Sequence, residues 1–389
     1  MSAGTPSGSG DSRSLGHPLA WLPQEWGDWL DDTQARYRGE QIFRWLHFHR
    51  EFRPEQMTNL NKVLRQRLAS TQVELPVCVD AVHGPAEGTR KLVLSLEGGA
   101  RIESVLIPMT RTTETDDADL GALEGPEAEE DLAATRVTLC VSTQFGCAMG
   151  CVFCASGRAG LVRGLSAAEI VAQVHVARAH LAPGEVLRNL VFMGMGEPLH
   201  HYAETARAIR VLTHPAGLDM SPRRITVSTV GLVPGIRRLG ADFDGKIGLA
   251  VSLHAPNDEL RSRIVPMNRR YPLPELMAAL RAYPLPRRRR ITIEYTLIHG
   301  VNDSCDAARE LAGLLRGLPV KVNLIPMNDV DGLLWRASSG RQVEAFRGVL
   351  ADHGYACFVR TRRGDDVSAA CGQLAMQKTG AEGEASPVP

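Results

Sequence analysis

The stretch "CAMGCVFCASG", Cys147–Gly157, places Cys147, Cys151 and Cys154 at a C-x3-C-x2-C spacing. It follows the strand-like run "RVTLCVSTQ" and so reads as the loop between a strand and the element after it. A structural zinc site uses four ligands, usually as two paired C-x2-C elements, and no second pair exists in this chain. Three thiolates around a [4Fe–4S] cluster leave one iron without a protein ligand. That iron can take the amino and carboxylate groups of a small molecule.

Outward from this loop the texture is regular. The runs "NLVFMGM", "RRITVSTVG", "KIGLAVSLHA", "RRITIEYTLI" and "VKVNLIPM" alternate with helical runs such as "SAAEIVAQVHVARAHL", "YAETARAIRVLTH", "PELMAALRAY" and "SCDAARELAGLLRGL". Six β/α repeats are counted from residue 136 to about 354, followed by a last strand, "ACFVRTRRG". Alternation at this spacing implies a parallel sheet with right-handed crossovers. Six units are too few to close an eight-stranded barrel, so the expected fold is α/β, a partial (β/α)6 barrel open on one side to a large substrate. Functional loops are then expected at one face, the C-terminal ends of the strands. "FMGMGEP" (Phe192–Pro198) supplies Gly196, where backbone can approach a ligand, and Glu197, a carboxylate able to receive an ammonium. Ser228, the tripeptide Ser252–Leu253–His254 and Asn328 fall at further strand ends.

The remainder of the chain is less regular. Residues 1–18 and 379–389 are rich in Gly, Ser, Pro and Ala and read as disordered tails. Residues 19–93 read as a small helical accessory domain, with helices over Tyr37–His49 and Asn61–Ala69 that are basic on their polar sides. The runs "TRKLVLSL" (Thr89–Leu96) and "ARIESVLIP" (Ala100–Pro108) read as a strand hairpin around a Glu-Gly-Gly turn, and residues 94–135 are assigned to this hairpin and an acidic insertion with nine carboxylates between Thr112 and Ala134. Residues 136–378 form the barrel and its C-terminal segment. The formal net charge is zero, which by itself points to no nucleic-acid partner. No apolar run approaches a membrane span, and the start lacks the apolar core of a signal peptide, so a cytoplasmic protein without a membrane partner is expected. There, eight cysteines read as reduced, metal-binding or catalytic.

Cys78, Cys305 and Cys357 read as inert core. Cys371 differs: it lies among small residues in "RRGDDVSAACGQLAMQ", after a basic strand whose arginines would favour a nucleophilic thiolate. The triplet on the first βα loop resembles the radical S-adenosylmethionine (SAM) superfamily. From about Trp26 to Gln377 the chain is similar to one family within it, the bacterial radical SAM 23S rRNA (adenine-C2)-methyltransferases, many of which also modify tRNA. The motifs that carry this resemblance include "YRGEQIFRWLH", "NLNKVLRQRL", "CVSTQFGCAMGCVFCASG", "VFMGMGEPL", "VSLHAPNDELRSRIVPMNRRY", "ITIEYTLIHGVND", "NLIPMN" and "RGDDVSAACGQL".

The resemblance implies a helical RNA-binding domain before the barrel, one [4Fe–4S] cluster on Cys147, Cys151 and Cys154, and SAM held by Gly196, Glu197, Ser228, Ser252, Leu253, His254 and Asn328. It implies that Cys371 carries a methyl group from one SAM, and that a second SAM yields the radical that activates it. Cys140 then releases the methylated base by forming a disulfide with Cys371, and Glu103 is the proton acceptor. It also implies 23S rRNA and an anticodon-loop adenosine of tRNA as substrates, an electron donor such as flavodoxin or ferredoxin, and a monomer. Two departures limit the carry-over: "DVDGLLWRASS" after Asn328 replaces a Pro and Pro-Gly turn, and the acidic insertion is longer than a short link. Arg287–Arg290 and Arg360–Gly364 read either as phosphate contacts or as solvated basic faces. Alternatives to C2 methylation are methylation at C8 of the same adenosine, an RNA-binding factor with a non-catalytic cluster, and a paralogue acting on another RNA.

Overall fold

Pro23 opens α1 (Pro23–Leu30), where a missing N–H leaves no helical bond unmade. In the computed structural model, which describes residues 16–30, 35–109, 134–328, 335–360 and 377–378, Trp26 on this helix packs against Trp21 and Trp29, with ring centroids 4.8 and 5.6 Å away. α2 (Ala35–Arg44) crosses α1 closely because Gly39 has no side chain: a Cβ there would lie 2.3 Å from the Pro23 carbonyl oxygen. The helix expected over Tyr37–His49 runs to Arg44 and then widens into a π turn, Trp45–His49. α3 (Lys62–Ala69) is capped by Asn61, whose side chain accepts from the Leu64 N–H at 2.8 Å.

The sheet starts earlier than the sequence suggests. β1 (Val77–His83) lies within the span expected to be helical, whereas β2 (Arg90–Leu96) is the first strand of the expected hairpin. β1 is the edge strand and buries only Val77 fully, so it lacks the apolar alternation that marks a strand. Cys78 on it is exposed, which corrects its reading as core; Cys305 and Cys357 are half-buried. β3 (Ala100–Pro108) returns from β2 through Gly98 and Gly99, both at positive φ, and pairs antiparallel with β4 (Thr135–Cys140). The hairpin therefore extends the barrel sheet. The acidic insertion lies outside the described residues.

β5 (Gln144–Gly146), α4 (Ala155–Ala159) and β6 (Leu161–Gly164) form a small lobe around the cysteine loop. Then come α5 (Ala167–Ala179), β7 (Glu185–Phe192), α6 (Tyr202–Leu212), β8 (Ile225–Thr229), α7 (Val233–Asp242), β9 (Gly248–Ser252), α8 (Asp258–Ile264) and α9 (Leu273–Arg281). β10 (Ile291–Leu297), α10 (Cys305–Leu314), β11 (Val320–Pro326), α11 (Gly340–Asp352) and β12 (Ala356–Val359) complete the repeats. The strand order is β1-β2-β3-β4-β7-β8-β9-β10-β11-β12, and every pairing from β4 onward is parallel. β13 (Gln377–Lys378) pairs with β3. Six β/α repeats and a last strand stand as expected, and among the described residues no pairing joins β12 back to the other edge. α5 is buried on all sides from Ala167 to Ala177, as befits a helix lying between the barrel sheet and the N-terminal unit. Among the described residues no helix is long and apolar enough to cross a membrane.

Candidate active site

The glycines of the cysteine loop decide its shape. Gly150 sits at φ +65°, a left-handed turn between Cys147 and Cys151 that a side chain would strain. Gly157 packs beneath Cys151, where a Cβ would lie 3.0 Å from the Cys151 carbonyl oxygen. The loop is pinned at both ends: the Cys147 N–H donates to the Gly160 carbonyl (3.0 Å) and the Val152 N–H to the Ile264 carbonyl at the end of α8 (3.1 Å). Upstream, Gln173 of α5 accepts from the Ser142 N–H (2.9 Å) and the Ser104 hydroxyl (2.7 Å), which locks β3 and the end of β4 together.

Cys147, Cys151 and Cys154 line one cavity with Gly196, Glu197, Ser228, Ser252, His254 and Asn328. It opens at the C-terminal ends of the parallel strands, where a barrel of this kind carries its chemistry. Burial pushes the Cys147 thiol up to about 12 and Cys151 well upward, so cation binding here must release protons. Among the described residues no three His, Cys, Asp or Glu side chains converge on a single-ion position. The triplet is a wall of donors, which suits a multi-iron cluster better than one four-ligand zinc.

Glu197 accepts from the Leu199 and Val230 N–H groups at 3.1 and 2.9 Å, while burial raises it to about 7 against those bonds. The tight backbone before it needs its glycines: a Cβ on Gly194 would lie 2.6 Å from the Val141 carbonyl oxygen, and one on Gly196 2.6 Å from Gln144 Cβ. His254 adopts φ +59°, rare for a side chain of this kind. Its Nδ1 accepts from the Thr296 N–H (2.9 Å), which leaves the proton on Nε2, and burial holds it neutral, near 3. Phe153 of the cysteine loop stands edge-on to that ring, 4.7 Å between centroids.

Three expected residues stand apart from the cavity wall, and a fourth lies outside the described residues. Leu253 is buried behind it, donating through its N–H to the Glu294 carbonyl (3.0 Å) and accepting from Arg261 Nε (3.0 Å). Glu103 on β3 and Cys140 on β4 share one face of the sheet, because Lys91, Val105 and Cys140 are directly opposed and Glu103 is two residues from Val105. Lys91 Nζ lies 3.0 Å from the Glu103 carboxylate, and both side chains are almost fully buried. Cys371, the fourth, lies outside the described residues, as does one half of the expected disulfide; no disulfide forms among the described residues.

Sequence reading missed Lys91, Arg261 and Glu294, since each matters through partners distant in the chain. Glu294 is 3% exposed and lines the cavity; Oε1 accepts from Asn323 (3.0 Å), while Oε2 has no hydrogen-bond partner among the described residues. A buried acceptor of this kind calls for a donor from a ligand. Three cysteines, a glycine cradle and this acceptor fit a thiolate-bound iron–sulfur cluster with a small polar ligand such as SAM beside it. The cluster would be held by Cys147, Cys151 and Cys154.

Residues 141–312 match the radical SAM superfamily, and residues 25–73 match the ribosomal RNA large subunit methyltransferase N-terminal domain. The chain is 54% identical to the dual-specificity RNA methyltransferase RlmN of Sorangium cellulosum, over 92% of this chain and 95% of that protein. It is 46% identical to the protein of the same name from Geotalea uraniireducens, over 88% and 91%. Its fold is similar to a crystal structure of a radical SAM methyltransferase from Sphaerobacter thermophilus, with a TM-score of 0.80, 42% identity and coverage of 92% of this chain and 98% of that one. With both domains matched in order and this identity maintained along nearly its whole length, the chain belongs to the RlmN family of radical SAM RNA methyltransferases.

Proposed function

We propose that this enzyme methylates C2 of an adenosine in 23S rRNA and of an anticodon-loop adenosine in tRNA, in the cytoplasm and as a monomer. The relatives' name, dual-specificity RNA methyltransferase, supports RNA substrates of two kinds. The observation that carries the reading is the convergence of Cys147, Cys151 and Cys154 with Glu197, Ser228, Ser252, His254 and Asn328 on one cavity.

C2 of adenine is too electron-poor for direct methyl displacement, so the carbon must arrive as a radical. Cys147, Cys151 and Cys154 would hold the cluster, which, reduced by a donor such as flavodoxin or ferredoxin, would supply the one electron for cleavage of SAM into methionine and a 5′-deoxyadenosyl radical. Glu197 receives the ammonium of SAM, and His254 offers Nε2–H as a donor. The glycines at 194 and 196 let backbone close on the ligand. Cys371 holds the methyl group taken from a first SAM, so that two SAM molecules serve one turnover. Glu103 accepts the proton from C2, its charge balanced by Lys91 (3.0 Å). Cys140, on the same sheet face as Glu103, attacks the Cys371 sulfur, so that the S–S bond forms as the bond from that sulfur to the transferred carbon breaks, and the released carbon takes up a proton to become the methyl group. The target base must leave its stack to reach such a site, which favours loop RNA.

Mass spectrometry of rRNA and tRNA from a deletion strain tests this. Loss of 2-methyladenosine from both pools, restored by the wild-type gene and not by Cys371→Ala, is the expected result. Unchanged 2-methyladenosine in both pools would sink the reading, and loss of 8-methyladenosine instead would transfer it to C8.

A further inference from the structure

Arg261 on α8 is 1% exposed, and all its partners are neutral oxygens. Nε donates to the Leu253 carbonyl (3.0 Å), Nη1 to Asn268 Oδ1 (2.9 Å), and Nη2 to the Val230 and Ser252 carbonyls. Among the described residues no carboxylate forms an ion pair with it. Asp258, an acid whose charge acts on it, has its Oδ1 engaged by Asn268 Nδ2 and the Leu273 N–H, both at 2.8 Å. Burial lowers Arg261 to about 10, so it is a cation at neutral pH. A buried charge without a counter-charge is expensive unless something completes the balance.

The anion is supplied from the neighbouring loop. Val152 bonds to the Ile264 carbonyl at the end of α8, and Ile264 and Val265 pack in one cluster with Cys147, Met149 and Cys151. Val230 and Ser252, whose carbonyls Arg261 holds, line the same cavity as Cys147, Cys151 and Cys154. Three thiolates outweigh the charge of an oxidised cubane core, and an added electron deepens the negative charge. A fixed cation beside such a centre favours its reduced state.

We propose that Arg261 is the resident counter-cation of the iron–sulfur cluster held by Cys147, Cys151 and Cys154, favouring its reduction while its guanidinium fork ties together the strand ends around the SAM site. The proposal rests on the reading that a cluster binds here. Arg261 is a positioning residue, touching neither substrate nor reacting atoms. Its two roles separate by substitution. Lysine keeps the charge and loses the fork; glutamine loses the charge.

Redox titration of the anaerobically reconstituted full chain, followed by cluster absorbance without SAM, tests this. At a fixed poise the reduced-to-oxidised ratio of Arg261→Gln should fall at least about tenfold, about 59 mV for one electron. Arg261→Lys should stay within about threefold of wild type, while its SAM affinity, read by equilibrium dialysis, falls at least about tenfold. An unchanged titration in Arg261→Gln overturns the proposal, as does a shift in Arg261→Lys as large as that in Arg261→Gln. Should the glutamine variant hold no cluster, the lysine variant decides alone: a retained potential supports the proposal and a lowered one overturns it. Wild-type protein that stays colourless after reconstitution overturns the cluster reading itself, and the proposal with it.

Discussion

Glu197 is a carboxylic acid raised to about 7 by burial, at the place where an ammonium is expected to arrive. Its folded value lies above the ordinary 4.5, so protonation favours the folded state; that contribution is complete below about pH 4.5 and is lost as the pH rises towards 7. Relative to Glu197→Gln, the ligand-free wild-type chain should lose up to about 3 kcal/mol of stability across that window. Denaturant titrations at several pH values check this, and a flat difference would contradict the burial account. Glu197 was legible in advance because "GMGEP" at a strand end is a local pattern. Lys91, Arg261 and Glu294 were not. Each looks like an ordinary polar residue of a strand or helix, and acquires meaning only from a buried partner brought by another element: Glu103 for Lys91, the strand-end carbonyls for Arg261, the cavity for Glu294.

At the scale of elements, α5 shows how the N-terminal unit is joined to the barrel. His47, in the π turn after α2, meets His175 of α5 with 3.1 Å between ring nitrogens, and Arg50 donates to the His175 carbonyl (3.1 Å). Burial, reinforced by nearby positive groups, holds His47 near 3 and His175 well below its ordinary value, so both are neutral. Neutral histidine favours the folded state above about pH 6.5, and this contribution fades as the pH falls below it. The stability margin of wild type over His175→Gln should therefore shrink between pH 6.5 and 4.5. Tryptophan fluorescence reports it, since Trp21, Trp26 and Trp29 cluster in the same unit; a margin independent of pH would count against this junction. The helices and parallel strands were readable because apolar periodicity is a local signal. The π turn and β1 were not: one is imposed by packing, and the other is an edge strand with little to bury.

For the whole molecule, the cavity gathers residues from the loop after β4 to Arg360 beyond β12, so a ligand there ties together segments from every repeat of the barrel. Ligand binding should stabilise the entire barrel. With the cluster in place, SAM at about a hundred times its dissociation constant should add about 2.7 kcal/mol, measured as a rise in Tm. Cys151→Ala, lacking a complete ligand set, should lose most of that rise; an equal rise would place SAM away from the cluster wall. Spacing, periodicity and strand-end motifs belong to the linear chain, and they indicated the repeat count and, together with the family resemblance, the proposed cluster ligands and SAM contacts. The open sheet with its three added antiparallel strands, the face shared by Glu103 and Cys140, and the buried arginine holding the strand-end carbonyls belong to the folded state. Those features rest on contacts between residues far apart in sequence, where burial, and not residue type, decides what a charge does.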